Sequence, residues 1–149
     1  MAGIRKSEAR RWFQQAAYDL KASWWNIEGG FYDTACFLAQ QAAEKAIKSL
    51  LYYQGLRKKA LFTHSVMELL KSASRHDPEF IAHQESAGEL DLHYIPARYP
   101  NGLPSGFPHR FYSQETAKRA FASSKRIVEA IKDYYLSRNE TEILSEEDP

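Results

Sequence analysis

The residues able to do chemistry in this 149-residue chain gather in two places. One is Tyr94-Ile95-Pro96-Ala97-Arg98-Tyr99-Pro100, where a guanidinium and a phenol stand beside prolines that stiffen the backbone. Arg98 can grip a phosphate through paired N–H donors, and Tyr99 offers a ring on which a base can stack. Arg110 adds a second guanidinium near the end of the same Pro-rich stretch. The other place is a polar set, Gln40, Gln41, Glu44, Lys45 and Lys48, inside an otherwise apolar helix candidate, which must face solvent, a partner or a ligand. The expected binding set is therefore Arg98, Tyr99 and Arg110 from the loop, with Lys45 and Gln41 from the helix. A second reading stands beside it: Arg98 pairs with a carboxylate such as Asp91, and Tyr99 packs the loop onto the rest of the chain. Lys45 likewise reads either as a ligand contact or as a surface lysine beside Gln41 and Glu44.

Other chemistries find little support. His64, His76, His83, His93 and His109 are scattered, with no His-x3-His on one helix and no cysteine pair to join them, so no metal is expected. His83 and His93 flank Glu85, Glu89 and Asp91, which read as solvated side chains. Arg75-His76 reads as a cation pair at a helix C-terminus, and Arg57-Lys58-Lys59 as a solubilising run. No Gly-x-Ser-x-Gly elbow, phosphate-binding loop or Gly-x-Gly-x-x-Gly turn is present, so no cofactor is expected. The single cysteine, Cys36, excludes an internal disulfide and lies on an apolar helix side, as a small core residue does. Formal net charge is +1, too little for a global field that draws in polyanions, so any anion site must be local. No segment approaches ~20 consecutive apolar residues, and MAGIRKSEARR has no apolar stretch after its charges. A soluble, cytoplasmic chain without a membrane partner is expected.

These groups must be positioned by helices. A first helix is predicted from about Ser7 to Glu28, ended by Gly29-Gly30, with Trp12, Phe13, Ala16, Leu20, Trp24 and Ile27 on one face. Trp24 and Trp25 are adjacent and cannot share a face, so one is expected in the core and the other exposed or at an interface. The second helix runs to about Gln54 with Gly55 just past its end, and the short link makes the two an antiparallel hairpin. Its apolar stripe is wide, as on a central helix, and Leu38 is expected to be buried. Thr63 is the expected N-cap of a third helix ending near Ser74, and Asp77-Pro78 opens a fourth that reaches Leu92. A Pro-rich loop, 94–111, precedes a fifth helix from Ser113 to Ser137, in which Ala117, Phe121, Ser124, Val128, Ile131 and Tyr135 form a heptad seam. The fold class is all-α, an antiparallel bundle of about five helices over residues 1–139, followed by a flexible acidic tail, 140–149.

Read in order, Tyr32-Asp33, the run Phe37-Leu38-Ala39-Gln40-Gln41-Ala42-Ala43-Glu44-Lys45-Ala46, Thr63-His64 and Tyr94 to Pro100 resemble the HEPN family of small helical nucleotide-binding domains. The resemblance covers roughly residues 8–136. It implies a homodimer, a nucleotide or nucleic-acid ligand near the dimer cleft, and often a minimal nucleotidyltransferase as protein partner in a two-component, toxin–antitoxin-type system. The dimer interface is expected to include the polar side of the second helix or an exposed member of Trp24-Trp25. Ribonuclease members carry an Arg, four to six residues, then a His near the last helices. Here ten residues separate Arg98 from His109, while Arg57 and His64 have six residues between them but lie between the second and third helices. The departure favours a non-catalytic nucleotide-binding subunit, with a metal-independent ribonuclease toxin and a helical protein-binding adaptor as alternatives.

Overall fold

The computed structural model describes residues 2–56, 61–95 and 97–146; Arg57-Lys58-Lys59 lies outside them. Helix α1 spans Ala2–Glu28 and α2 spans Tyr32–Tyr53. Both end by the same local device. Phe31 N–H reaches back to the Asn26 carbonyl (2.8 Å) and Gly30 N–H to Ile27, with Gly30 at φ +82°. Leu56 N–H likewise returns to Leu51 (3.0 Å) and Gly55 N–H to Tyr52, with Gly55 at φ +76°. This pairing satisfies the last carbonyls, and the left-handed residue it needs is one that only glycine adopts without strain. The tight turn at 29–31 folds α2 back along α1 as an antiparallel neighbour.

Helix α2 is the centre of the bundle, touching α1 on one side and, on others, α3 (Val66–Ser74), α4 (Gln84–Asp91), α5 (Pro108–Phe111) and α6 (Gln114–Ser137). Ala35, Ala39, Ala42, Ala43 and Ala46 are fully buried and let neighbouring helices approach closely, while Ile47, Leu50 and Leu51 fill the space between them. A buried polar knot joins the three long helices: the Ser49 hydroxyl donates to the Ala9 carbonyl (2.6 Å) and takes the Tyr135 hydroxyl at 2.8 Å. Burial pushes the Tyr135 phenol up, so it stays a donor. Cys36 is fully buried and its thiol is pushed up to about 12, chiefly by desolvation, in keeping with a packing role.

Several local expectations are corrected. Leu38 is half-buried, because it shares the open side of α2 with Thr34, Gln41, Lys45 and Tyr52, all within about a 60° arc at 100° per residue. Thr63 does not cap α3: its hydroxyl accepts from Ser65 N–H, and Ser65 itself caps by accepting from Glu68 N–H. Asp91, distant in sequence, takes the hydrogen bonds of Ser65 Oγ, Val66 N–H and Met67 N–H (2.7, 2.6 and 3.2 Å) and so completes that cap. Residues Pro78–His83 form a 3-10 turn before α4 rather than its first turns. Asp77 does not cap it, because its carboxylate is engaged by Gln54, the Tyr134 hydroxyl and Arg138. Trp24 and Trp25 are both exposed, at 40% and 72%.

The N- and C-terminal ends support one another. α1 begins at Ala2, five residues earlier than expected, and a short α7 (Thr141–Leu144) docks on its early turns. Ile143 is fully buried, Arg10 donates twice to the Ser145 carbonyl, Gln14 donates to the Ile143 carbonyl, and Lys6 pairs with Glu140 (3.0 Å). The expected fraying therefore does not extend to this turn.

Candidate functional site

On α2, Asp33, Phe37, Gln40, Gln41, Glu44 and Lys48 recur at spacings of one, three and four and share one face. Each turn of that face meets a different part of the chain. Asp33 Oδ1 lies 3.0 Å from His109 Nδ1, which pins α5, and the His109 ring sits 6.4 Å from Phe31. One turn on, the Arg98 guanidinium lies over the Phe37 ring at 4.9 Å. Tyr94 stacks on Phe37 (6.1 Å, 18°) and also on His64 (4.9 Å, 21°). Arg98, Phe37, Tyr94 and His64 thus form a run of four flat groups drawn from α2 and two loops.

Glu44 anchors the far end of that run. Its Oε1 lies 3.2 Å from His64 Nδ1 and 3.4 Å from Gln40 Nε2, and its Oε2 lies 3.3 Å from Lys48 Nζ. Gln40 also donates to the His64 carbonyl (2.9 Å), so both the backbone and the ring of His64 are fixed from α2. Lys48 Nζ stands 5.5 Å from the Trp12 ring. Gln40, Glu44 and Lys48 are all buried, contrary to the expectation that they face outward. A carboxylate on Nδ1 orients an imidazole and leaves Nε2 as the chemically available nitrogen. The His64 side chain is 55% exposed, so solvent or a ligand can reach it.

Arg98 is the distinctive member. Among the described residues no carboxylate pairs with its guanidinium, and Asp91, the expected alternative partner, is committed to the α3 cap. An arginine held on a ring without an anionic partner presents unused N–H donors, the arrangement that accepts a phosphate or carboxylate. Tyr99 is exposed, and its carbonyl accepts from Gly102 N–H at the start of a 3-10 turn. Arg110 is exposed on α5 beside His109 and takes no ion pair among the described residues. Gln41 donates to Gln40 Oε1 (2.7 Å), one turn beyond Phe37. Lys45 is placed apart: it lies eight residues, about 12 Å of helix rise, past Phe37, and its ammonium pairs with Asp19 of α1.

Phe37, Tyr94, His64 and Glu44 were not singled out by residue type as a binding group. The signal present was the Gln40-Glu44-Lys48 ladder, three polar residues four apart among alanines, which marks a polar stripe on a helix that is otherwise core. A groove of about 610 Å³ lies elsewhere, over the outer face of α1 with Trp12, Tyr18, Lys45 and Tyr52 in its lining. Each of its cations has a protein partner, Arg10 the Ser145 carbonyl, Arg11 Glu8 and Lys45 Asp19, whereas the Arg98 guanidinium has no carboxylate among the described residues. His93 is buried against Tyr112, and desolvation holds its imidazole below the ordinary value, with Glu89 opposing and Arg119 reinforcing that shift. Among the described residues no group of three His, Cys, Asp or Glu side chains could hold a metal ion, and no helix is long and apolar enough to cross a membrane.

Comparison with known proteins decides the family. The HEPN domain model matches residues 9–134. The chain belongs to the HEPN domain family. A crystal structure of a Thermus thermophilus protein is similar at 34% identity, covering 85% of this chain and 97% of that one with a TM-score of 0.75. An archaeal HEPN homologue matches at 35% identity over 85% and 97% with a TM-score of 0.71. A HEPN domain protein from Thermotoga maritima matches at 33% identity over 86% and 98%, at 0.67. No curated protein matches. In this HEPN domain members of three of the motifs quoted above meet in one connected cluster, with Phe37 and Glu44 on α2, His64 before α3, and Tyr94 and Arg98 after α4.

Proposed function

We propose that this HEPN domain binds a nucleotide or nucleic acid on the face formed by Arg98, Phe37, Tyr94 and His64, as the non-catalytic partner subunit of a minimal nucleotidyltransferase in a two-component, toxin–antitoxin-type system. Tyr99, Arg110 and Gln41 border the ligand, and Lys45 reaches it only by giving up its pair with Asp19. The protein works as a cytoplasmic homodimer whose cleft follows the half-exposed side of α2. One observation carries the reading: Arg98 is fixed on an aromatic ring and takes no protein carboxylate among the described residues. With a net charge of +1, such a local cluster is what a polyanion would have to find. Stacked rings beside a guanidinium suit a base next to its phosphate.

A second reading, a metal-independent ribonuclease, draws on a separate observation. His64, oriented by buried Glu44, belongs to the same run of stacked groups as Arg98, so an acid–base group and a phosphate-binding group share one face. The chain lacks the family's Arg-to-His spacing near its last helices, which keeps this reading second.

Anisotropy titrations of labelled mononucleotides and short single-stranded RNA test both, with parallel RNA-degradation gels in chelator and sedimentation to separate a dimer from the 17.2 kDa monomer. Losing one charge-assisted contact costs about 1.5–3 kcal/mol, roughly ten- to a hundredfold in affinity. Arg98→Ala is expected to weaken binding by that factor with the melting temperature unchanged and the RNA left intact. Cleavage that His64→Ala abolishes would establish the second reading. Early unfolding of Arg98→Ala, with binding per folded molecule retained, would make Arg98 a structural residue and remove the proposed site.

A further inference from the structure

The tryptophan pair plays no part in that face. Trp24 of α1 meets Phe121 of α6 (5.3 Å between centroids, 48°), and with Ala17, Leu20 and Trp25 they line an open depression of about 240 Å³ between the two helices. Its two charged lining residues are both lysines, Lys21 and Lys125. Neither is firmly held: Lys21 Nζ rests 5.4 Å from the Tyr18 ring, and Lys125 reaches an exposed Glu129 at 3.9 Å. Exposed tryptophans around a depression mark the residues that dominate protein–protein contacts.

We propose that this depression is the docking site for an acidic amphipathic helix of a partner protein. Its apolar side chains would seat between Trp24 and Phe121, and its flanking carboxylates would meet Lys21 and Lys125. The partner segment is helical for a physical reason. The depression is walled by α1 and α6, whose mid-helix backbone groups are already hydrogen-bonded, so an extended strand would find no main-chain partners here. A third helix brings its backbone already satisfied and packs ridge into groove. The lysines decide the sign of the partner. A second copy of this chain, related by a two-fold axis through the patch, would lay the same lysine rim against itself, which like-charge repulsion opposes. A bilayer would take protruding side chains rather than fill a cleft between helices.

The test uses the full chain and two fluorescent designed helices of the same leucine pattern, one flanked by Glu and one by Lys. The Glu-flanked helix is expected to bind roughly tenfold tighter. The double variant Lys21→Glu/Lys125→Glu, altered only at side chains that line the depression's rim, should reverse that preference, and Trp25→Ala should weaken both complexes. Equal binding of the two helices, failure of the Glu-flanked helix to bind, or an unchanged preference in the double variant would overturn the proposal. So would capture by anionic phosphatidylserine vesicles, or self-association lost in the double variant, in place of helix binding. Nucleotide affinity plays no part in these outcomes, so they stand apart from the function proposed above.

Discussion

Glu44→Ala is expected to destabilise the protein by about 3–5 kcal/mol, the cost typical of breaking a buried ion pair from one side. Glu44 and Lys48 are only 3% and 5% exposed, and Glu44 is also the partner of His64 and Gln40. Truncation leaves the Lys48 ammonium in the bundle interior with the Trp12 ring as its remaining neighbour, and it frees His64 from its anchor. Replacing both members with apolar side chains removes the stranded charge, so Glu44→Met combined with Lys48→Leu should regain most of the loss. Denaturant melts of the two variants decide the matter. A single-variant loss near zero would mean that Lys48 finds water in the folded state and that the polar ladder is peripheral.

Leu50→Ala should cost about 2–5 kcal/mol, as lost transfer energy plus the cavity left behind. Leu50 is fully buried on the helix that touches every other long member of the bundle, and the alanines around it offer little volume to collapse into the space. Leu38→Ala, on the half-exposed side of the same helix, should cost distinctly less. Equal losses at the two positions would contradict the assignment of the open side of α2, and with it the side on which the stacked face is presented.

That open side shows where the sequence was legible and where it was not. Helix ends set by local chemistry could be read directly: Gly29-Gly30 and Gly55 act within a few residues of themselves. Ends set by distant groups could not. Ser65 rather than Thr63 caps α3 because Asp91 completes that cap from the end of α4, and Asp77 is drawn away from its own turn by Tyr134, Gln54 and Arg138. The wide alanine stripe on α2 made Leu38 look like core, since periodicity alone does not say which edge of a broad stripe a neighbour covers. At the candidate site, Arg98 could be singled out by its residue type and stiff surroundings. Its platform could not, because Phe37, Tyr94 and His64 converge from three separate segments through ring contacts that carry no sequence spacing. The burial of Gln40, Glu44 and Lys48 was hidden for a related reason, since each is satisfied by the others and by the His64 carbonyl.

The central claim, that a nucleotide or nucleic acid binds where Arg98 covers Phe37, is tested most directly by aromatic-ring NMR during titration with a mononucleotide and with short single-stranded RNA. Base stacking shifts the resonances of nearby rings, so Phe37, Tyr94 and His64 should move together and saturably, while Trp24 and Trp25 stay still. Shifts confined to Trp12, Tyr18 and Tyr52 would place the ligand in the groove over α1 and contradict the account.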